Sequence, residues 1–283
     1  MRGNRDWPSR PLGEQPWDGR CSPFRSATGW LRHWAPVAWR GGRLNSIPLL
    51  RAPDAATDRR WHSSAAVTEW TTTEHAERYL ARRDTIPHRT EGEAVLLAHI
   101  PCSARRILDL GTGDGRLIAL LRLDRPDIEA LGLDISRPML AAARKQLAGE
   151  DRITLLHHDM SSQLPDIGRF DAAVSCFAIH HLDDPRKRSL YDEVFELLKP
   201  GGVFANLEHV ASPSERLHRR FYQAIGYPDD WEDPSNKLLD VETQLHWLRE
   251  LGFEDVDCYW TWLEMALLIG VKPAEQLSVQ RAG

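Results

Sequence analysis

The stretch Arg105–Leu117, RRILDLGTGDGRL, sets glycines at 111, 113 and 115 directly behind a short apolar run. Alternate glycines at that density mark a backbone that turns sharply or approaches another group closely. The run RILDLG, 106–111, reads as a strand, and RLIALLRL, 116–123, as a helix closed by Pro126. A strand, glycine turn and helix in this order place a ligand crevice at the carboxyl end of the strand. A dinucleotide fingerprint, G-x-G-x-x-G, fails here because the sixth position counted from Gly111 is Arg116. Asp109 stands two residues ahead of the first glycine, inside the strand end. A carboxylate there repels a pyrophosphate and suits a ligand that carries a cation.

Outward from the turn, strands and helices alternate. Strand 128–134 precedes helix 137–148, which has Ser136 as N-cap and Gly149 just past its end. Strands 153–159 and 170–177, helix 188–198 and strand 202–209 continue the series. The runs ending in Asp109, Asp134 and Cys176 are nearly all apolar, as strands buried on both faces must be. Two helices, in TEHAERYL and EGEAVLLAHI, come first and are separated by Pro87. After a helix in VETQLHWLRELGF, the runs EDVDCYW and WLEMALLIGVK follow with only a residue or so between them. A parallel crossover needs a dozen or more residues, so these two strands pair antiparallel. The predicted fold is α/β: a doubly wound, mostly parallel seven-stranded sheet, Rossmann-like, with an antiparallel C-terminal hairpin.

The chain has 283 residues and a formal charge of -5, which is unevenly spread. Residues 1–66 hold eleven arginines, no lysine, five acids and six of the eleven tryptophans, whereas 67–283 hold 25 basic and 36 acidic side chains. Proline and glycine interrupt every window of 1–66, so neither helical nor strand periodicity is sustained there. That stretch reads as a disordered Arg/Trp-rich extension. It is neither amphipathic nor acid-poor, as a transit peptide would be. VTEW, beginning at Val67, marks a possible alternative start, since valine codons can initiate translation. No apolar run reaches the ~18–20 residues that span a bilayer, and the N-terminus lacks a secretory-signal pattern. The four scattered cysteines form no C-x-x-C pair, which fits a reducing cytoplasm and suggests neither a disulfide framework nor a zinc site.

These motifs resemble those of the class I S-adenosylmethionine-dependent methyltransferases, over roughly residues 70–272. In that family the acid of D-x-G-x-G-x-G helps hold the methionyl amino group and the glycines admit the cofactor; Asp109, Gly111, Gly113 and Gly115 match one for one. The resemblance implies that Asp134, ending the second strand, takes both ribose hydroxyls. It places Asp159, ending the third, at the adenine amino group with Met160 beside it. Thr112, Ile135 and Ser175 complete the candidate cofactor set. S-adenosyl-L-methionine carries an ammonium and a sulfonium and no phosphate, in keeping with the acid. LLKPGG before the fifth strand also matches. The C-terminal half is distantly similar to tRNA wobble-uridine carboxymethyltransferases, including AIGY and the hairpin ending GVK. That family's cofactor-carboxylate arginine is replaced here by Gln223.

His180 and His181, after the fourth strand, and Glu208, near the end of the fifth, are candidate acceptor-side groups: a general base or substrate contacts. The two histidines have an alternative as packed, hydrogen-bonded loop residues. His157, His158 and Asp159 do not imply a metal, because adjacent strand residues point to opposite faces. Trp260 and Trp262 read as aromatics covering the sheet. The methyltransferase domain is assigned to 67–283, with a cover insertion at about 210–240 that carries Arg216, Arg219 and Arg220. The acidic core favours a small-molecule acceptor over a polyanion. An RNA acceptor gripped by the basic arm, or a non-catalytic cofactor-binding protein, are the alternatives.

Overall fold

In the computed structural model, the described residues are 70–228 and 233–274. The Arg/Trp-rich stretch 1–66, and with it the Val67 start, lies outside them. Two helices lead, α1 (Thr73–Arg82) and α2 (Arg89–His99), joined through a 3-10 turn at Arg83–Thr85. Then follow β1 (Arg106–Leu110), α3 (Arg116–Asp124), β2 (Glu129–Asp134), α4 (Arg137–Gln146), β3 (Ile153–His157) and β4 (Phe170–Cys176). A 3-10 turn at Ile179–His181 leads to α5 (Asp184–Leu197), β5 (Leu198–His209), α6 (Glu215–Ala224), α7 (Val241–Glu250), β6 (Glu254–Trp262) and β7 (Met265–Val271).

The seven strands lie in the order β3-β2-β1-β4-β5-β7-β6. β7 runs antiparallel to both β5 and β6, so the final hairpin closes an otherwise parallel sheet as its short connection demands. The core sits on both faces. Leu108 and Leu110 point into one cluster with Leu190, Tyr191 and Val194 of α5 and Leu245 and Leu248 of α7. Ile107 points the other way, to Leu96 of α2 and Leu117 and Leu121 of α3. This period-two division is what an all-apolar central strand dictates.

Among the boundaries that differ from the sequence reading, three bear on the site. α5 begins at Asp184 rather than 188, because the Asp183 carboxylate accepts the Arg186 N–H at 3.0 Å and Pro185 suits the first turn. β3 stops at His157, so Asp159 lies on the loop beyond it rather than at the strand end. β5 begins at Leu198 and takes in Lys199–Gly202 through a register irregularity against β4. Among the described residues, Cys176 and Cys258 are free thiols.

Candidate active site

β1 is flanked by β2 on one side and β4 on the other, so the chain reverses its winding direction there. The crevice at such a switch point is where open α/β sheets take ligands. The turn leaving β1 has φ of +71° at Gly111, +57° at Gly113 and +81° at Gly115, a region that L side chains avoid. At Gly111 a Cβ would also lie 2.2 Å from the Ala178 Cβ. The loop after β4 therefore abuts the turn, and only glycine permits it. The Thr112 N–H donates to the Leu133 carbonyl at 2.8 Å. The Asp134 carboxylate accepts the Gly113 N–H at 2.8 Å and the Ser136 N–H at 2.7 Å. β2 thus holds the turn by backbone and by side chain.

The electrostatics of this turn are unusual. Asp109 is 1% exposed, and its carboxylate accepts a 2.7 Å hydrogen bond from the Thr112 hydroxyl. No arginine or lysine pairs with it among the described residues. Burial raises its pKa to about 7, and the Asp134 charge adds to the effect. Asp134 is also raised by burial, against the two N–H donors that stabilise its charge. Asp159 is half-buried and accepts the Ser161 N–H at 2.8 Å. The Met160 methyl would lie 3.5 Å from a Gly111 Cβ, against the turn. The Ile135 carbonyl bonds the His157 ring at 2.9 Å. The fully buried Ser175 hydroxyl donates to the Leu110 carbonyl at 2.9 Å, so that side chain ties β4 to β1.

On the opposite side of the crevice, His180 Nδ1 and Glu208 Oε1 are 2.6 Å apart, both buried. Glu208 also accepts the His209 N–H at 2.8 Å and faces the Asn206 amide at 3.4 Å. Burial pushes Glu208 up to about 7 and His180 well below the usual histidine range. His181 is lowered too, by burial and by the neighbouring His180 ring. Its Nδ1 lies 3.2 Å from the Ser235 carbonyl, and its ring stands 4.9 Å from that of Trp70. The three acceptor-side candidates are therefore brought together. His157 and His158 are not joined by further ligands; no group of three or more His, Cys, Asp or Glu could hold a metal among the described residues.

Two segments far apart in sequence cover the crevice end. Phe221, Tyr222, Ile225 and Tyr227 of the insertion cluster with Ile86 before α2, with Phe177 after β4, and with Trp260 and Trp262. Trp260 and Trp262 cover the sheet, as expected. The Arg82 guanidinium lies 4.1 Å above the Tyr227 ring. Glu264, fully buried in the β6–β7 connection, takes His209 at 2.9 Å and His218 at 2.7 Å, tying α6 to the end of β5. Nothing in the sequence singles out Glu264, because it lies inside an apolar run read as strand. Asp114, Arg116, Arg83 and Glu93 were missed as well; their pairing links segments whose contact no local pattern signals.

Residues 107–202 match the family described as a methyltransferase domain. Demethylmenaquinone methyltransferase of Clavibacter sepedonicus is 31% identical over 204 residues, covering 66% of this chain and 82% of that protein. The chain belongs to the methyltransferase-domain family. Trans-aconitate 2-methyltransferase of Methylobacterium radiotolerans is 36% identical over 134 residues, 46% of this methyltransferase and 49% of that one. Human N-acetylserotonin methyltransferase, solved with S-adenosylmethionine, shares the fold: TM-score 0.56 and 16% identity over 75% of this chain and 59% of that chain. The protein is an S-adenosylmethionine-dependent methyltransferase, and its α/β sheet is that of the family.

Proposed function

We propose that this methyltransferase moves a methyl group from S-adenosyl-L-methionine to a small-molecule acceptor, with the cofactor lying across the glycine turn. The observation that carries the site is Asp109, a buried carboxylate with a hydroxyl donor but no cation. In this reading Asp109 holds the methionyl ammonium. Asp134 accepts the ribose hydroxyls, and a carboxylate already taking two N–H donors keeps further lone pairs for them. Asp159 faces the adenine amino group with Met160 and Ile135 alongside, and Gly111, Thr112, Gly113 and Gly115 form the floor. Ser175 supports that floor from beneath. The cofactor supplies a methyl on a sulfonium, an electrophile that asks the protein for alignment and exclusion of water.

His181 is the group we assign to the acceptor proton. With Nδ1–H given to the Ser235 carbonyl, the lone pair on Nε2 is left to accept a proton from an acceptor hydroxyl. Burial and the His180 ring lower the His181 pKa, which keeps the ring neutral at neutral pH but also makes it a weak base. It therefore orients the acceptor hydroxyl by a hydrogen bond and takes the proton only as methyl transfer proceeds. Glu208 fixes His180 beside it, 4.0 Å ring to ring. The cover of Phe221, Tyr222 and Ile86 would exclude water. The named activities of the two relatives, on demethylmenaquinone and trans-aconitate, support a small acceptor. So does the excess of acids in residues 67–283. A cytoplasmic location belongs to the same reading; no helix among the described residues is long and apolar enough to cross a membrane.

An RNA acceptor is the second reading. Arg216, Arg219 and Arg220, exposed along α6, motivate it, together with the sequence resemblance of this half to tRNA wobble-uridine carboxymethyltransferases, a family to which none of the relatives named above belongs. Gln223, where that family has arginine, weighs against a carboxylated cofactor. Calorimetry with S-adenosylmethionine, then transfer of labelled methyl to hydroxyl and carboxylate small molecules and to bulk tRNA, separates the two. Label in a small molecule is expected; label in tRNA alone would favour the second. Asp134→Ala is expected to weaken cofactor binding by about 2–4 kcal/mol, since charge-assisted hydrogen bonds are lost. Unchanged affinity would remove the ribose assignment.

A further inference from the structure

The cofactor turn does not stand alone on the sheet. Glu93 of α2, 2% exposed, takes Arg116 in a two-pronged pair, Nε to Oε1 at 2.8 Å and a terminal nitrogen to Oε2 at 2.9 Å. The same Oε1 accepts Arg89 Nε at 2.8 Å. Asp84, in the 3-10 turn, takes the remaining terminal nitrogen of Arg116 at 2.8 Å. Arg83 beside it pairs with Asp114, itself 5% exposed. Asp114 and Arg116 are the two neighbours of Gly115. Both flanks of the last turn glycine are therefore gripped by charges from the N-terminal helix pair, 23 to 32 residues earlier in the chain.

Such a network is a poor way to gain stability. Taking charges out of water costs several kcal/mol per ion before pairing repays it, and apolar packing would serve a mere helix contact as well. What paired charges do supply is a fixed geometry, most of all a guanidinium held in two-pronged fashion by one carboxylate. The turn they fix has three residues at positive φ and a floor that must match a ligand. We propose that the N-terminal helix pair positions the cofactor turn: Glu93 and Arg83, acting through Arg116 and Asp114, hold it in the shape that accepts S-adenosylmethionine. These are positioning residues, since they act through the turn rather than by touching the cofactor. By linkage, cofactor binding must in turn steady α2. The proposal rests on the reading of the glycine turn as the cofactor site.

The test uses the full chain and calorimetry with S-adenosylmethionine. Glu93→Gln and Arg116→Gln are each expected to bind about tenfold more weakly, and the double variant no more weakly than the worse single one. Arg116→Lys, which keeps the charge but not the two-pronged geometry, should recover part of the loss. Amide exchange adds a readout that a purely structural role would not move: the cofactor should slow exchange across 89–99 in the wild type and fail to do so in Glu93→Gln. Folded single variants binding within twofold of wild type, or losses that multiply in the double variant, overturn the proposal. If Glu93→Gln does not fold, the decision falls to the wild-type protein and Arg116→Lys. Absence of cofactor-induced protection at 89–99 in the wild type, or full affinity in Arg116→Lys, then overturns it. A wild-type chain that binds no S-adenosylmethionine removes the reading of the site itself, a failure distinct from wild-type binding with insensitive variants.

Discussion

Asp109 shows how one residue carries opposite demands. In the proposed reading its carboxylate must be charged to hold the methionyl ammonium, yet burial raises its pKa to about 7. Below that pH a proton occupies the site and competes with the ligand. Cofactor affinity is therefore expected to be flat above neutrality. It should fall by up to about tenfold per pH unit below it, the slope of one competing proton. Calorimetry between pH 5.5 and 8 checks this, and Asp109→Asn should bind weakly with no such slope. The residue type and its spacing from the glycines were legible in the sequence. Its proton affinity was not, because desolvation is set by what the fold packs around it.

At the scale of elements, α2 sits close on the sheet because of Gly92. A Cβ there would lie 2.8 Å from the Trp260 ring and 2.9 Å from a Leu207 methyl. Gly92→Val is expected to push the helix outward and cost about 1–3 kcal/mol, as overpacking does, read as a lowered unfolding midpoint in urea. Because Glu93 follows directly, the same change should loosen its hold on Arg116 and weaken cofactor binding. Gly92→Val with unaltered stability would mean that the helix rides further from β5 and β6 than described. The helix itself was visible in EGEAVLLAHI, but its depth was not. The start of α5 is a converse case: Asp183 and Pro185, five and three residues ahead of the start read at Arg188, carried the capping signal.

For the molecule as a whole, the site draws on stability. Asp109 and Glu208 keep protons in the native state up to about pH 7 that the unfolded chain releases near pH 4. Their share of stability therefore falls as pH rises through that window. His180 and His181 act with the opposite sign: native burial keeps them neutral where the unfolded chain takes up protons below about pH 6.5, so their share falls as pH falls. Asp109→Asn isolates the first effect. Without cofactor it is expected to be more stable than wild type at pH 8 by on the order of a few kcal/mol, read as a higher melting temperature. The difference should vanish toward pH 4. Equal melting at pH 8 would mean that Asp109 is solvated or paired.

The sequence by itself determined the sheet, the glycine turn and the final hairpin. All of these follow from local signals: apolar runs, turn residues and the length of a connection. Only the tertiary structure decided that His180 meets Glu208, 28 residues away, that Glu264 joins α6 to β5, and that Glu93 reaches Arg116. It also decided that Asp159 lies beyond β3 and that the Ser175 hydroxyl is spent on the Leu110 carbonyl. The physical reason is range. Backbone propensity and periodicity act over a few residues, whereas ion pairing and desolvation act through space between segments that the folded chain alone brings together.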